Sequence, residues 1–178
     1  ALWPLIHPET STESIQVFAS LESPKEITYS ETGERMEVST PAGTSASITL
    51  DDGTQVLLSA NSRLEYSKSF SADKREVKLV GEARFNVAKD AERPFIVHTR
   101  QLQTQVLGTV FDVKAYPQTP ADVTLYEGKV EVSLNGDAPQ LMQPGEQAFL
   151  DKEGKLQLTK APEETGKWAE GEFAFDDK

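Results

Sequence analysis

From Val77 to Val87 the chain reads Val-Lys-Leu-Val-Gly-Glu-Ala-Arg-Phe-Asn-Val, and the apolar side chains at 77, 79, 83, 85 and 87 share one parity. Successive side chains of an extended strand point to opposite faces, so this run predicts a half-buried β-strand. Gly81 interrupts the inward series without a side chain, which marks a bend or a close backbone approach. A charged turn from Lys89 to Arg93 leads to a second run, Pro94 to Thr99, and then to a third, Leu102 to Tyr116. In the third run the parity changes. Leu102, Thr104 and Val106 are even, whereas Phe111, Val113 and Ala115 are odd. One extra residue would keep both halves facing inward, so a bulge is expected at Gly108-Thr109.

The same alternation recurs along the chain. Ile27 and Tyr29, then Met36 and Val38, flank Thr32-Gly33 as a hairpin. Asp52-Gly53 joins Ile48 and Leu50 to Val56-Leu57-Leu58, and Asp-Gly between apolar runs is a strong hairpin signal. Leu64 and Tyr66 begin another strand, and Ser67 to Arg75 reads as a polar connection. Val123 and Leu125 are expected to pair with Val130, Val132 and Leu134 across Glu127-Gly128. Asn135-Gly136 and Lys152-Glu153-Gly154 are further turns. Turns about every 8 to 12 residues, without a helical segment of moderate length, indicate an all-β sandwich or barrel. The expected core comprises Leu50, Val56, Leu79, Phe85, Val87, Phe95, Val97, Val106, Phe111, Val113, Val130 and Val132. Phe85, Phe95, Phe111 and Tyr116 belong to core strands, and Tyr126 is open to either core or surface.

At 178 residues, with 37% hydrophobic and 26% charged, the chain can bury a sizeable core. A net charge of −11, spread along the chain, argues against nucleic acid or an anionic membrane as partner. There is no cysteine, hence no disulfide and no thiolate metal site. No apolar run approaches the roughly 18 residues a membrane-spanning helix needs.

Catalytic chemistry finds little support. His7 and His98 are the two imidazoles, and His98 shares a parity with Ile96 rather than with Phe95 and Val97, which turns it outward. Adjacent Asp51 and Asp52 read as turn residues rather than a glycosidase pair. Calcium would be the most credible metal, but the spacing of an EF-hand loop is missing. Gly43, Gly53 and Gly81 stand alone and form no phosphate loop. No catalytic residue, metal or cofactor is therefore expected.

Three segments are similar to the successive signatures of the FecR family: Gly81-Glu82-Ala83-Arg84-Phe85-Asn86-Val87, Arg93-Pro94-Phe95-Ile96-Val97 and Val106-Leu107-Gly108-Thr109-Val110-Phe111-Asp112-Val113. The likeness extends, in order, over roughly residues 38 to 175: Thr40-Pro41-Ala42-Gly43, Leu50 to Thr54, Asn61-Ser62 with Tyr66, Glu127-Gly128-Lys129-Val130, Pro144-Gly145-Glu146 and Trp168-Ala169-Glu170-Gly171. Asp51 departs from the proline usual before Asp-Gly in the family. The resemblance implies a jelly-roll-like β-sandwich with a β-helical winding. It assigns structural roles to Gly81, Glu82, Phe85, Pro94, Phe95, Gly108, Thr109, Phe111, Gly128, Gly145 and Trp168.

Family members are membrane-anchored anti-sigma factors. The resemblance therefore implies a periplasmic domain that engages the signalling domain of an outer-membrane TonB-dependent transporter. It also implies a sigma factor held by a cytoplasmic segment ahead of an inner-membrane span, both preceding residue 1. Residues 1–24 are then a flank after the span, with Trp3 near the interface or on a core or edge strand, and Ser14 to Leu21 a strand or a single helical turn. Residues 25–160 form the β-domain, and 161–178 a tail leading toward a further domain. In that tail Trp168 is expected to pack on the body, with Phe173 and Phe175 along an edge or at the junction. The competing class is an extracellular carbohydrate-binding β-sandwich, which a coplanar row of exposed aromatics would favour; a free strand edge or a broad apolar patch would favour the relay module.

Overall fold

The computed structural model describes residues 26–169. Fourteen strands and one turn of 3₁₀-helix, Lys167–Ala169, make up the regular structure of this part. In chain order the strands are β1 (Thr28–Thr32), β2 (Arg35–Ser39), β3 (Ala46–Thr49), β4 (Gln55–Leu58), β5 (Arg63–Ser67), β6 (Arg75–Asn86) and β7 (Phe95–His98). They continue as β8 (Leu102–Val106), β9 (Val110–Ala115), β10 (Asp122–Glu127), β11 (Val130–Leu134), β12 (Gln140–Met142), β13 (Glu146–Leu150) and β14 (Leu156–Lys160). The result is nearly barrel-shaped and all-β, in agreement with the class expected from the alternation.

Two sheets face each other, and the long strand β6 belongs to both. Residues 75–80 of β6 lie between β5 and β7, whereas residues 81–86 lie between β4 and β9. The first sheet runs β1-β2-β5-β6-β7-β8-β11-β12, and the second runs β3-β4-β6-β9-β10-β13-β14. The chain therefore winds between the sheets, usually contributing two strands to one before crossing to the other. Among the described residues the only parallel pair is β6 with β7, since their connection crosses between the sheets rather than turning back as a hairpin.

Two expectations about connections are corrected here. Leu102 to Tyr116 is not one strand with a bulge at Gly108-Thr109. β8 pairs with β7 and β11 in the first sheet, β9 with β6 and β10 in the second, and the parity change is the corner between them. Likewise Glu127-Gly128 does not close a hairpin. β10 pairs with β9 and β13, while β11 pairs with β8 and β12. A register shift does occur, but at Tyr126, between the pairs Leu125↔Phe111 and Glu127↔Val110.

The corners stack along two seams. One gathers Thr40, Ser59 to Ser62 and Gly81: the Thr40 amide donates to the Ser62 carbonyl (2.9 Å), and the Glu82 amide to Ser62 Oγ (2.9 Å). Gly81 is the bend expected, with φ +106°, and a Cβ there would lie 2.7 Å from Ser62 Cα. The other seam stacks residues 88–90, 107–109 and 127–129. The Asp90 amide donates to Leu107 O (3.0 Å), and Thr109 Oγ1 to Lys129 O (3.0 Å). Gly108 is required by proximity and not by its dihedrals, because a Cβ would sit 2.9 Å from Lys89 Cα.

All twelve side chains expected in the core are buried there. Their centre is aromatic: Phe85 and Phe111, register neighbours on β6 and β9, stack at 5.1 Å between centroids, and Phe95 lies 6.0 Å from Phe85. Tyr116 is only half-buried, its hydroxyl donating to the Ala60 carbonyl (2.7 Å).

Candidate interaction site

The residues that the sequence singled out divide between core and corners. Phe85, Phe95 and Phe111 form the ring cluster; Gly81, Gly108, Thr109 and Gly128 hold the seams. A Cβ at Gly128 would meet the Gly108 carbonyl oxygen at 2.9 Å, so these two corners are fitted to each other. Pro94 accepts from the Arg75 amide (2.8 Å), and the Gly145 amide donates to Leu125 O (2.8 Å). These roles serve the winding. Glu82 belongs elsewhere, on the outer face of the second sheet, and Trp168 follows the segment that returns to that face at Gly166.

That face carries a polar cluster which alternation alone would have left in solvent. Val123 and Leu125 of β10 point into the core, so Thr124 and Tyr126 face outward, beside Asp112 of β9 and Arg84 of β6. Asp112 takes two charge-assisted bonds from Arg84, Nε to Oδ1 at 2.7 Å and Nη2 to Oδ2 at 3.0 Å. Its Oδ2 also accepts from the Tyr126 hydroxyl (2.7 Å), and the Arg84 guanidinium lies 4.5 Å from the Tyr126 ring centroid. Tyr126 is thus half-buried under Arg84. The register shift between β9 and β10 falls at this residue.

Arg84 Nη2 also donates to the carbonyl of Gly166 (3.1 Å), in the segment after β14. Gly166 has φ +83°, and a Cβ there would lie 2.8 Å from Tyr126 Cζ, so only glycine brings this backbone onto the ring. Two residues on, Trp168 is half-buried with its Nε1 fully enclosed and unpaired, and Ala169 is buried. The expected packing of the Trp168 segment on the body is therefore built on Arg84 and Tyr126. Phe173 and Phe175, like residues 1–24, lie outside the described residues.

Carboxylates next to the cluster are perturbed. Burial raises Glu82 to about 7, with Asp112 and Asp122 adding repulsion against the attraction of Lys114 and Arg84. Burial raises Asp122 to about 6, opposed by Lys114 and by its bond to Gln147. Tyr126 is raised too, first by burial and then by Asp112. For Arg84 burial works downward, but the bond and charge of Asp112 prevail and raise it. The cluster thus offers a fixed cation and anion, a phenol donor and two carboxylates that gain protons near neutrality. Among the described residues no group of three or more His, Cys, Asp or Glu could hold a metal.

A second polar feature escaped the sequence reading altogether. Arg75, placed in a polar connection, is the first residue of β6 and is fully buried. Its Nη1 bonds Asp52 Oδ2 (2.6 Å) and Ala88 O (2.7 Å), its Nε bonds Arg93 O (2.8 Å), and its Nη2 reaches Leu107 O (3.2 Å). Asp52 is also the turn residue expected, accepting from the Thr54 amide (2.9 Å) and hydroxyl (2.7 Å). The signal was there, since Arg75 shares its parity with Val77 and Leu79.

The first sheet's outer face is more ordinary. His98 lies half-exposed with Nε2 2.6 Å from Glu76 Oε2, as its parity required. Among the described residues β1, whose five residues are all exposed, and β12 are the edge strands of this sheet.

The family profile described as FecR protein matches residues 36–131, more than half of the chain, and this span runs from β2 into β11. The chain belongs to the FecR family. Two crystal structures, at 2.50 and 1.65 Å resolution, of a candidate anti-sigma factor from Parabacteroides distasonis share the fold. The first has a TM-score of 0.69 at 36% identity, covering 73% of this chain and 62% of the other; the second has 0.68 at 37%, covering 72% and 61%. This FecR chain thus spans less than two thirds of the length of those relatives. No curated protein matches it. The corners Gly81, Gly108 and Gly128 fall inside the FecR match, whereas Gly166 and Trp168 fall outside it.

Proposed function

We propose that this chain is the periplasmic signal-relay part of a transmembrane anti-sigma factor and that it works through protein contacts rather than catalysis. The observation that carries the reading is membership of the FecR family together with the likeness to a candidate anti-sigma factor over most of this chain. In that reading residues 25–160 are the relay domain and 161–178 the connection to a further domain. The relay domain meets the signalling domain of an outer-membrane TonB-dependent transporter. A cytoplasmic segment, joined through an inner-membrane span, holds the sigma factor.

The surface agrees with a protein partner better than with a sugar. Among the described residues the exposed large apolar side chains are Tyr29, Val80, Leu107 and Leu141, a set with one aromatic, whereas a sugar platform needs several in a row. Tyr29 and Leu141 lie on β1 and β12, the edge strands of the first sheet among the described residues, and a sheet edge offers backbone groups to a partner. The test is transcription from a sigma-dependent promoter in cells whose anti-sigma factor carries this domain or has it replaced by an unrelated β-domain. Loss of induction with unchanged protein level is expected on replacement; full induction would overturn the proposal.

A further inference from the structure

The segment after β14 is tied to the barrel by very little. The Ala161 amide donates to Gly145 O (2.8 Å), which extends the strand pairing by one residue. Beyond it the backbone bonds are local: Thr165 to Pro162 (3.0 Å), Lys167 to Glu164 (3.4 Å) and Ala169 to Gly166 (3.1 Å). The ion pair Lys167–Glu164 is local too. Among the described residues the one hydrogen bond from the barrel to residues 162–169 is that of Arg84 to the Gly166 carbonyl. A segment whose bonds are internal can leave without breaking a sheet ladder, which is the condition for opening below the global unfolding free energy.

The closed arrangement also carries an unpaired group. Trp168 Nε1 is enclosed without an acceptor. Burial of apolar indole surface favours docking, while a buried N–H without an acceptor opposes it. Arg84 is held ready in either state, because Asp112 fixes it bidentately and Tyr126 supports its face.

We propose that residues 162–169 form a strap that opens as a unit from an intact barrel, with Arg84 as its catch and Gly166 as the one residue type the catch admits. Closed, the strap fixes the direction in which the chain leaves the second sheet; open, it frees that direction and uncovers the Arg84–Asp112–Tyr126 cluster. The device is a property of the fold and stands whether or not the relay reading holds.

Trp3 and Trp168 are the only tryptophans, so in a W3F protein the fluorescence reports the strap alone. Acrylamide quenching of W3F and W3F/G166V is compared, with barrel unfolding followed by far-UV circular dichroism. Expected is a quenching constant several-fold higher in W3F/G166V, with the barrel's cooperative transition retained. An unchanged constant would show that Gly166 is not the point of capture, and loss of the folded barrel would show that strap and barrel are one unit; either overturns the proposal. Hydrogen exchange of the unaltered protein gives a variant-free reading. The amides of Thr165, Lys167 and Ala169 should exchange together and many-fold faster than those of β6 and β9, and exchange at the same rate as those strands would contradict the strap.

Discussion

Arg75 and Asp52 form an ion pair at 2.6 Å in which the arginine side chain is 0% and the aspartate side chain 4% exposed. The pair ties the Asp52-Gly53 turn to the start of β6, and the remaining guanidinium donors bind carbonyls of residues 88, 93 and 107. One cation thus closes the end of the barrel at which the second seam begins. Removing one partner leaves an uncompensated buried charge, so Asp52→Ala should destabilise by about 3 to 5 kcal/mol. Urea unfolding measures this, and a loss below about 1 kcal/mol, as found for exposed pairs, would show that the pair is hydrated.

Stability should rise on mild acidification. Glu82 has an ordinary value of 4.5 and a folded value of about 7; Asp122 moves from 3.8 to about 6. Between the ordinary and folded values the native state binds more protons than the unfolded chain, so stability falls as pH rises through those windows and is constant above them. Asp73, Asp90 and Asp151 have lowered values and act oppositely at lower pH. The melting temperature should therefore be higher near the lower end of the Glu82 window than above its upper end. Glu82→Gln should raise it on the alkaline side and flatten the slope. A flat profile in the unaltered protein would mean that Glu82 and Asp122 are hydrated.

Glycines separate into two kinds. At Gly136 φ is +91° but nothing lies within 4 Å of an added Cβ, so Gly136→Ala should cost about 1 kcal/mol of backbone strain. Gly128 has φ +95° and the Gly108 carbonyl oxygen at 2.9 Å, and Gly128→Ala should cost about 2 to 4 kcal/mol. Equal losses at the two positions, measured by denaturant unfolding, would mean that the stacked corners are not close-packed.

Much of the fold was legible because alternation decides which side chains face inward, and burial of one face enforces it. That logic placed Phe85, Phe95, Phe111 and the other nine core positions correctly. It is silent about which of two sheets a strand joins, since both present the same apolar inner face. Glu127-Gly128 has the composition of a hairpin turn and yet is a corner, and the parity change near Gly108 signals a corner as well as a bulge. The polar cluster was hidden for a different reason. Arg84, Asp112 and Tyr126 sit at outward positions; the pairing of β6 with β9 sets Arg84 beside Asp112, the register shift falls at Tyr126, and Gly166 of the returning segment meets Arg84, none of which alternation along one strand reveals.

Trp168 lies in the strap and outside the core cluster. Trp168→Ala should accordingly lower the barrel's unfolding free energy by about 1 kcal/mol or less, well short of the 3 to 5 kcal/mol typical of a core tryptophan. If the proposed relay function holds, the same substitution in the full-length protein should reduce induction of a sigma-dependent promoter. Normal induction at a normal protein level would remove Trp168 from the relay.

In the proposed function this domain acts by binding a protein partner in the periplasm. Isothermal titration of a longer chain containing residues 25–178 with the purified signalling domain of a TonB-dependent transporter, the partner proposed above, tests it most directly. A saturable complex is predicted, weakened when Tyr29 or Leu141 on the edge strands is changed to a charged residue. Absence of any complex, together with saturable binding of an oligosaccharide, would contradict it.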